Sequence, residues 1–229
     1  MPFEIGSGAP RKIAVIGAGI SGMGAAHRLG DAHRVTLFEA EGRLGGHART
    51  IVAGRRGDQP VDTGFIVFNY ANYPHLAALF AELDVPVVKS NMSFGASIGG
   101  GALEYGLHSL DALFAQRANL ARPAFLRMVR DILRFNKSGL ALSKANPDLS
   151  IGEFLDLMKL GPWFRDHYLA PFSGAIWSTP TEKIMDFPAY AMMQFFENHA
   201  LLNTTGQHQW YTVQGGSVEY VRRVEASLR

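Results

Sequence analysis

Six residues near the start of the chain, Gly17-Ala18-Gly19-Ile20-Ser21-Gly22, constrain everything around them. Before them, Lys12 to Ile16 is a short apolar run with β-branched residues, suited to a buried parallel strand. After them, Met23 to Leu29 continue at helical spacing, and a second strand is predicted at Arg34 to Phe38, ending on Glu39. Strand, glycine turn, helix, strand and acid predict a Rossmann-like α/β unit. Each glycine meets a different need. Gly17 turns the chain tightly off the strand, Gly19 lets the backbone approach a pyrophosphate, and Gly22 lets the helix pack close to the sheet. The N–H groups of Ile20, Ser21 and Gly22 then point at phosphates from the positive end of the helix dipole. Glu39 lies 22 residues beyond Gly17, near the usual distance for an acid that accepts hydrogen bonds from ribose hydroxyls. The same acid repels a 2′-phosphate, which argues against NADP. A glycine triplet alone is a plain strand-to-helix turn; the flanking elements and the acid make it a dinucleotide site.

A second glycine motif follows in Arg43-Leu44-Gly45-Gly46-His47. A nicotinamide enzyme has no physical need for it. FAD is longer, and a paired-glycine loop lets backbone N–H groups approach an extended cofactor, while Arg43 can offer charge to the pyrophosphate. Taken alone, this stretch reads as a surface turn with a solvated arginine. In sequence with the first motif, it points to FAD.

Together these motifs resemble the flavin-containing amine oxidase superfamily, which includes monoamine oxidases, protoporphyrinogen oxidase and phytoene-desaturase-like enzymes. The family pattern is a glycine triplet, an acid, then Arg-x-Gly-Gly-Arg. Gly17, Gly19, Gly22, Glu39, Arg43, Gly45 and Gly46 match it. His47 stands where the second arginine usually contacts phosphate, and a neutral imidazole offers one donor and no fixed charge. The Arg-Leu-Gly-Gly-His variant is most similar to bacterial amine-oxidase-like proteins. Val61-Asp62-Thr63-Gly64-Phe65 is similar to the family's Asp-x-Gly stretch, where the backbone passes under the flavin ring, and the resemblance carries over Gly64. Phe65 replaces a common second glycine and reads as a core aromatic. Near the end, Val213-Gln214-Gly215-Gly216-Ser217 opens a helical pattern through Val218, Val221 and Val224, the segment that in the family re-enters the FAD domain.

Between these segments the pattern changes. A polar turn at Arg55 to Gln59 predicts a hairpin, and Pro74 to Leu83 an amphipathic helix. Val85 to Lys89, Met92 to Ile98 and Ala102 to Tyr105 read as strands, the last two joined by Gly99-Gly100-Gly101. From Ser109 the chain is mostly helical, punctuated by proline into short helices, with a capping-box pattern at Ser150-Ile151-Gly152-Glu153. The expected organisation is a Rossmann-like FAD-binding domain over residues 1–70, an inserted, mainly helical substrate domain over 71–208, and a return to the FAD domain over 209–229. The resemblance implies a further FAD-contacting strand and a C-terminal flavin motif, so the chain reads as the family's N-terminal half, expected to be inactive alone.

Other functions find less support. The net charge of +2 is too balanced to argue for nucleic acid. The chain has no cysteine, so disulfide and thiolate chemistry are excluded and a cytosolic setting fits. No metal site is expected, because no histidines pair at metal-ligand spacing. Arg127, Arg130, Arg134 and Lys137 share one helical face, which can meet an anionic membrane surface but reads more simply as a solvated face. Trp163, Phe164, Tyr168, Phe172, Trp177, Tyr190, Phe195 and Phe196 can line an apolar substrate cavity, although most read as core. No catalytic side chain is assigned. The expected activity is hydride transfer from an amine, or from an apolar C–C or C–N substrate, to flavin. The alternatives are a nicotinamide-dependent dehydrogenase and a non-catalytic dinucleotide-binding remnant.

Overall fold

The computed structural model describes residues 9–177, 179–203 and 206–228. Its contacts divide the chain into two units, Met1–Asn91 with Gln209–Arg229, and Met92–His208.

The first unit opens with β1 (Lys12–Ile16), α1 (Ile20–Gly30) and β2 (Arg34–Phe38). β1 and β2 pair in parallel, Lys12 opposite Arg34 and Ile16 opposite Phe38, so the helix is the crossover of a βα β unit. A hairpin follows, β3 (Thr50–Ala53) against β4 (Gln59–Asp62). α2 (Pro74–Glu82) starts on a proline, whose missing N–H costs nothing at a helix start, and β5 (Val87–Ser90) comes after it. The boundary expected near residue 70 therefore falls after Asn91. The reason is non-local: β5 pairs antiparallel with a strand more than a hundred residues away, Val87 opposite Val213.

The predicted buried character of β1 needs correction. Its residues alternate in exposure, as do those of β2, and Ile16 is 87% exposed and Phe38 53%. One face of the pair packs on the core; the other is uncovered among the described residues. β-branched composition could not distinguish a strand buried on both faces from one buried on a single face.

The second unit begins with the hairpin of β6 (Gly95–Ile98) and β7 (Leu103–Gly106). Gly99, Gly100 and Gly101 make its turn, all with positive φ, a conformation that glycine alone adopts freely. The predicted strand from Met92 thus starts at Gly95. The helices are α3 (Leu110–Leu113), α4 (Pro123–Ala145), α5 (Ile151–Met158), α6 (Pro162–Phe164), α7 (Ala170–Trp177) and α8 (Ala189–Asn198). α4 runs for 23 residues, longer than the proline spacing suggested, because Pro123 opens it rather than ending another helix. α5 has the expected capping box: the Ser150 hydroxyl accepts from the Glu153 N–H, and the Glu153 carboxylate accepts from the Ser150 N–H at 2.9 Å. Phe125, Met128, Phe135, Phe154, Phe164 and Met192 form the centre of this unit's core, each fully buried. Burial of each such side chain contributes about 1.5–3 kcal/mol. Asn119, Asp131, Ser143 and Ser173 are also buried in this unit; Asp131 accepts from the Gly161 N–H at 3.1 Å and pairs with Arg130 and Arg134.

The chain returns to the first unit through β8 (Trp210–Val213) and α9 (Val218–Ser227). α9 packs its Tyr220, Val221 and Val224 into a core shared with Met23, Phe68 and Phe80. Among the described residues, no helix is long and apolar enough to cross a membrane.

Candidate functional site

The turn from β1 into α1 is built on backbone bonds. The Gly17 N–H donates to the Phe38 carbonyl at 2.8 Å, tying the end of β1 to the end of β2. Gly17 has φ +93°, which a side chain would strain. The first intrahelical bond of α1 runs from the Met23 N–H to the Gly19 carbonyl at 2.9 Å. The N–H groups of Ile20, Ser21 and Gly22 therefore precede the bonded ladder, at the positive end of the helix. No side chain caps this end. At Gly22, an added β-carbon would lie 1.8 Å from the Gly17 carbonyl oxygen, so the helix reaches the strand only because this position lacks one. At Gly19, an added β-carbon would meet nothing within 4 Å. The space in front of the helix is open, and only glycine keeps all of it free for a ligand.

Glu39 closes one side of this turn. Its carboxylate accepts from the Ala18 N–H at 2.7 Å and from the Glu41 N–H at 2.9 Å. The Glu41 and Ala18 N–H groups hold its carboxyl below the ordinary range, so it stays ionised. An ionised carboxylate has lone pairs left to accept ribose hydroxyls after these two bonds.

The second glycine motif folds onto the first. The Gly45 N–H donates to the Ala18 carbonyl at 2.7 Å, and Gly45 bridges Gly19 as a short parallel pair. A β-carbon on Gly46 would lie 3.1 Å from the Gly19 Cα. Thus Gly17, Gly19, Gly22, Gly45 and Gly46, far apart in spacing, line one turn. Arg43 lies beside it, but its guanidinium donates to the Gly46 carbonyl at 2.7 Å and pairs with Glu41 at 2.9 Å. In this arrangement it braces the glycine loop. His47 presents an exposed imidazole; its backbone carbonyl accepts from the Phe65 N–H at 3.2 Å. Gly64 packs on that backbone so tightly that a β-carbon would fall 2.0 Å from the His47 carbonyl oxygen. Phe65 is a core aromatic: it packs against Phe68, Phe80 and Tyr220.

Two contact sets escaped the sequence. Asp62 accepts from the Ser217 N–H at 2.9 Å, the Ser217 hydroxyl at 2.7 Å and the Thr50 hydroxyl at 2.6 Å, while Thr50 in turn accepts from the Val218 N–H at 3.0 Å. This cluster ties the β3–β4 hairpin to the N-terminus of α9. His27 links three helices, with Nε2 3.0 Å from the Glu82 carboxylate and Nδ1 2.8 Å from the Ser227 hydroxyl. The hydrogen bond from His27, together with Arg28, holds the Glu82 carboxyl below its ordinary range. The only sequence hint was Asp62 in the Asp-x-Gly stretch.

In the second unit a cavity of about 470 Å³ is lined by Ile98, Arg165, Asp166, Ala170, Pro171, Thr181, Glu182 and Met185. None of the aromatics singled out from the sequence lines it. Phe164, Tyr168, Phe172 and Phe196 are buried core, and Trp163, Trp177 and Phe195 pack against that core.

Residues 15–83 match the family model of the NAD(P)-binding Rossmann-like domain. A coproporphyrinogen III oxidase of Mycobacterium bovis is 45% identical over 78 residues, which cover 32% of this chain and 16% of that protein. The fold is similar to that of cyclohexylamine oxidase from Brevibacterium oxydans IH-35A, with a TM-score of 0.66, 19% identity, and coverage of 96% of this chain and 49% of that one. It is also similar to a protein of Exiguobacterium sp. 255-15 assigned as a protoporphyrinogen oxidase, with a TM-score of 0.61, 21% identity, and coverage of 98% and 52%. The chain thus spans about half the length of these solved structures.

Proposed function

From a chain that opens on an NAD(P)-binding Rossmann-like domain and has the fold of these oxidases, we propose an FAD-dependent oxidoreductase of amine oxidase type. The observation that carries this reading is the docking of the Gly45–Gly46 loop onto Gly19. A nicotinamide site needs the first glycine turn only; here a second glycine loop extends the cradle beyond it.

The residues present fit the group. The open space at Gly19, in front of three N–H groups that no helical carbonyl takes, suits a pyrophosphate. Glu39 would accept the hydroxyls of the adenosine ribose. Gly45 and Gly46 would let the loop's backbone follow the cofactor, with Arg43 holding the loop in shape and adding positive charge beside the phosphates. Gly64, where the chain lies flat on the His47 backbone, would keep side chains away from the flavin ring. The imidazole of His47 stands free to donate one bond to the cofactor. When bound, FAD supplies a hydride acceptor. The protein's part is to bind and orient the cofactor and to exclude water from it.

The substrate class is a small molecule, an amine or an apolar compound oxidised at a C–N or C–C bond. The similar proteins include a cyclohexylamine oxidase and a coproporphyrinogen III oxidase, which bracket that range. The absorption spectrum of the purified protein, made in its natural full length, tests the cofactor. The expected result is a flavin band, with FAD released by heat; NAD without a flavin band would overturn the reading in favour of a nicotinamide dehydrogenase.

A further inference from the structure

The long helix α4 carries five cations, Arg127, Arg130, Arg134, Lys137 and Lys144, and a single acid, Asp131. The acid is turned inward: its side chain is 3% exposed, held by the Gly161 N–H and by Arg130. Arg130 and Arg134 pair with it and yet remain 62% and 47% exposed. The outer surface of the helix therefore presents cations with no carboxylate of its own between them.

That surface is not purely polar. Leu126 and Leu133 are 43% and 53% exposed. Leu126, Arg130, Leu133, Lys137 and Lys144 recur at spacings of four, three, four and seven, so they form one stripe along the outer side of the helix. The opposite side, with Phe125, Met128 and Phe135, is buried in the core. Beside the N-terminal half of the stripe, Arg127, Arg130 and Lys159, together with Asp131, border a cleft of about 290 Å³ whose wall includes Trp163. Trp163 is half-buried and stacks on His167 with ring centroids 4.3 Å apart, so its position is fixed.

We propose that α4 is a peripheral docking surface for an anionic lipid bilayer, lying in the plane of the membrane with Leu126 and Leu133 reaching into the headgroup layer. An ordinary solvated helix face intersperses acids with its bases, forming pairs at three and four residues. Here the helix has one acid, Asp131, buried beneath Arg130 and Arg134, and the exposed cations alternate with leucine over a helix about 34 Å long. Cations around embedded leucines, with an aromatic at the edge, complement negatively charged headgroups above an apolar layer. This inference is independent of the cofactor and of the reaction.

Vesicle flotation of the purified chain tests it. Vesicles with about one third phosphatidylserine in phosphatidylcholine are compared with vesicles of phosphatidylcholine alone. The expected result is binding to the anionic vesicles, at least about tenfold tighter than to neutral ones and weakened by salt. The double variant Arg127→Glu with Lys137→Glu should lose that preference. Arg55→Glu with Arg56→Glu, an equal charge change in the β3–β4 turn, should keep most of it. Arg127→Gln with Lys137→Gln serves if the reversal unfolds the chain, as judged by circular dichroism, and should show a smaller loss in the same direction. Equal binding to neutral and anionic vesicles, no binding to either, or an equal loss in the Arg55 and Arg56 variant would overturn the proposal.

Discussion

Gly22 faces Gly17 so closely that a β-carbon on Gly22 would lie 1.8 Å from the Gly17 carbonyl oxygen, whereas one on Gly19, three residues earlier, would touch nothing within 4 Å. Two glycines of one turn thus have separable duties. Gly22 serves the packing of α1 on β1, and Gly19 serves whatever lies in front of the helix.

Substitution should separate them. Gly22→Ala forces backbone against backbone and is expected to cost about 3 kcal/mol or more, at the upper end of overpacking effects. Gly19→Ala has room for its methyl group and a φ of −71°, which alanine accepts, so its stability should stay near that of the parent. Urea denaturation of the two variants checks this; equal destabilisation would mean that α1 does not sit on β1 as described.

Glu39 gives a pH signature. The N–H groups of Glu41 and Ala18 lower its carboxyl pKa in the folded state. A lowered folded pKa contributes stability above the unfolded carboxylate range, and that contribution is lost as pH falls through the folded value. Glu39→Gln should therefore melt below the parent at neutral pH, and the gap should close in acid. Thermal melts across that range are the measurement, and a gap constant with pH would show that the two backbone bonds do not depend on the charge.

The cluster of Asp62, Ser217 and Thr50 predicts a coupling across the chain. Asp62 accepts the N–H at the start of α9 from a residue 155 positions away. Asp62→Ala should destabilise the first unit by about 1–2 kcal/mol, the loss typical of a helix N-cap. Ser217→Ala and Thr50→Ala should each cost less, and combining either with Asp62→Ala should add little, because the partners share one acceptor. Full additivity in denaturant titrations would dissolve the cluster.

Much of this is legible in the sequence. The βαβ opening, the capping box at Ser150 and the hairpin turn at Gly99 each rest on a local pattern in which residue type dictates backbone conformation. The resemblance singled out Gly45 and Gly46, but their meeting with Gly19 is not dictated by the spacing and is visible only in the structure. What stayed hidden was non-local or concerned one face of an element. β8 is four residues long and exists through its pairing with β5. The link from His27 to Ser227 spans 200 positions. The exposed Ile16 looks, in sequence, like any core isoleucine, because hydrophobicity does not say which side of a strand is covered. Asp131 lies in sequence among the cations of α4, and nothing local in the sequence says that it points inward.

In the proposed function, the glycine turn and Glu39 hold the adenosine diphosphate half of FAD. Calorimetric titration of the chain with ADP tests this directly, since ADP is that half without the flavin. The account predicts one-to-one binding, weakened at least about tenfold in Glu39→Ala. It also predicts that binding is abolished in Gly19→Val, whose side chain would fill the phosphate space without unfolding the turn. No binding of ADP to the parent chain, or the same affinity in all three proteins, would contradict it.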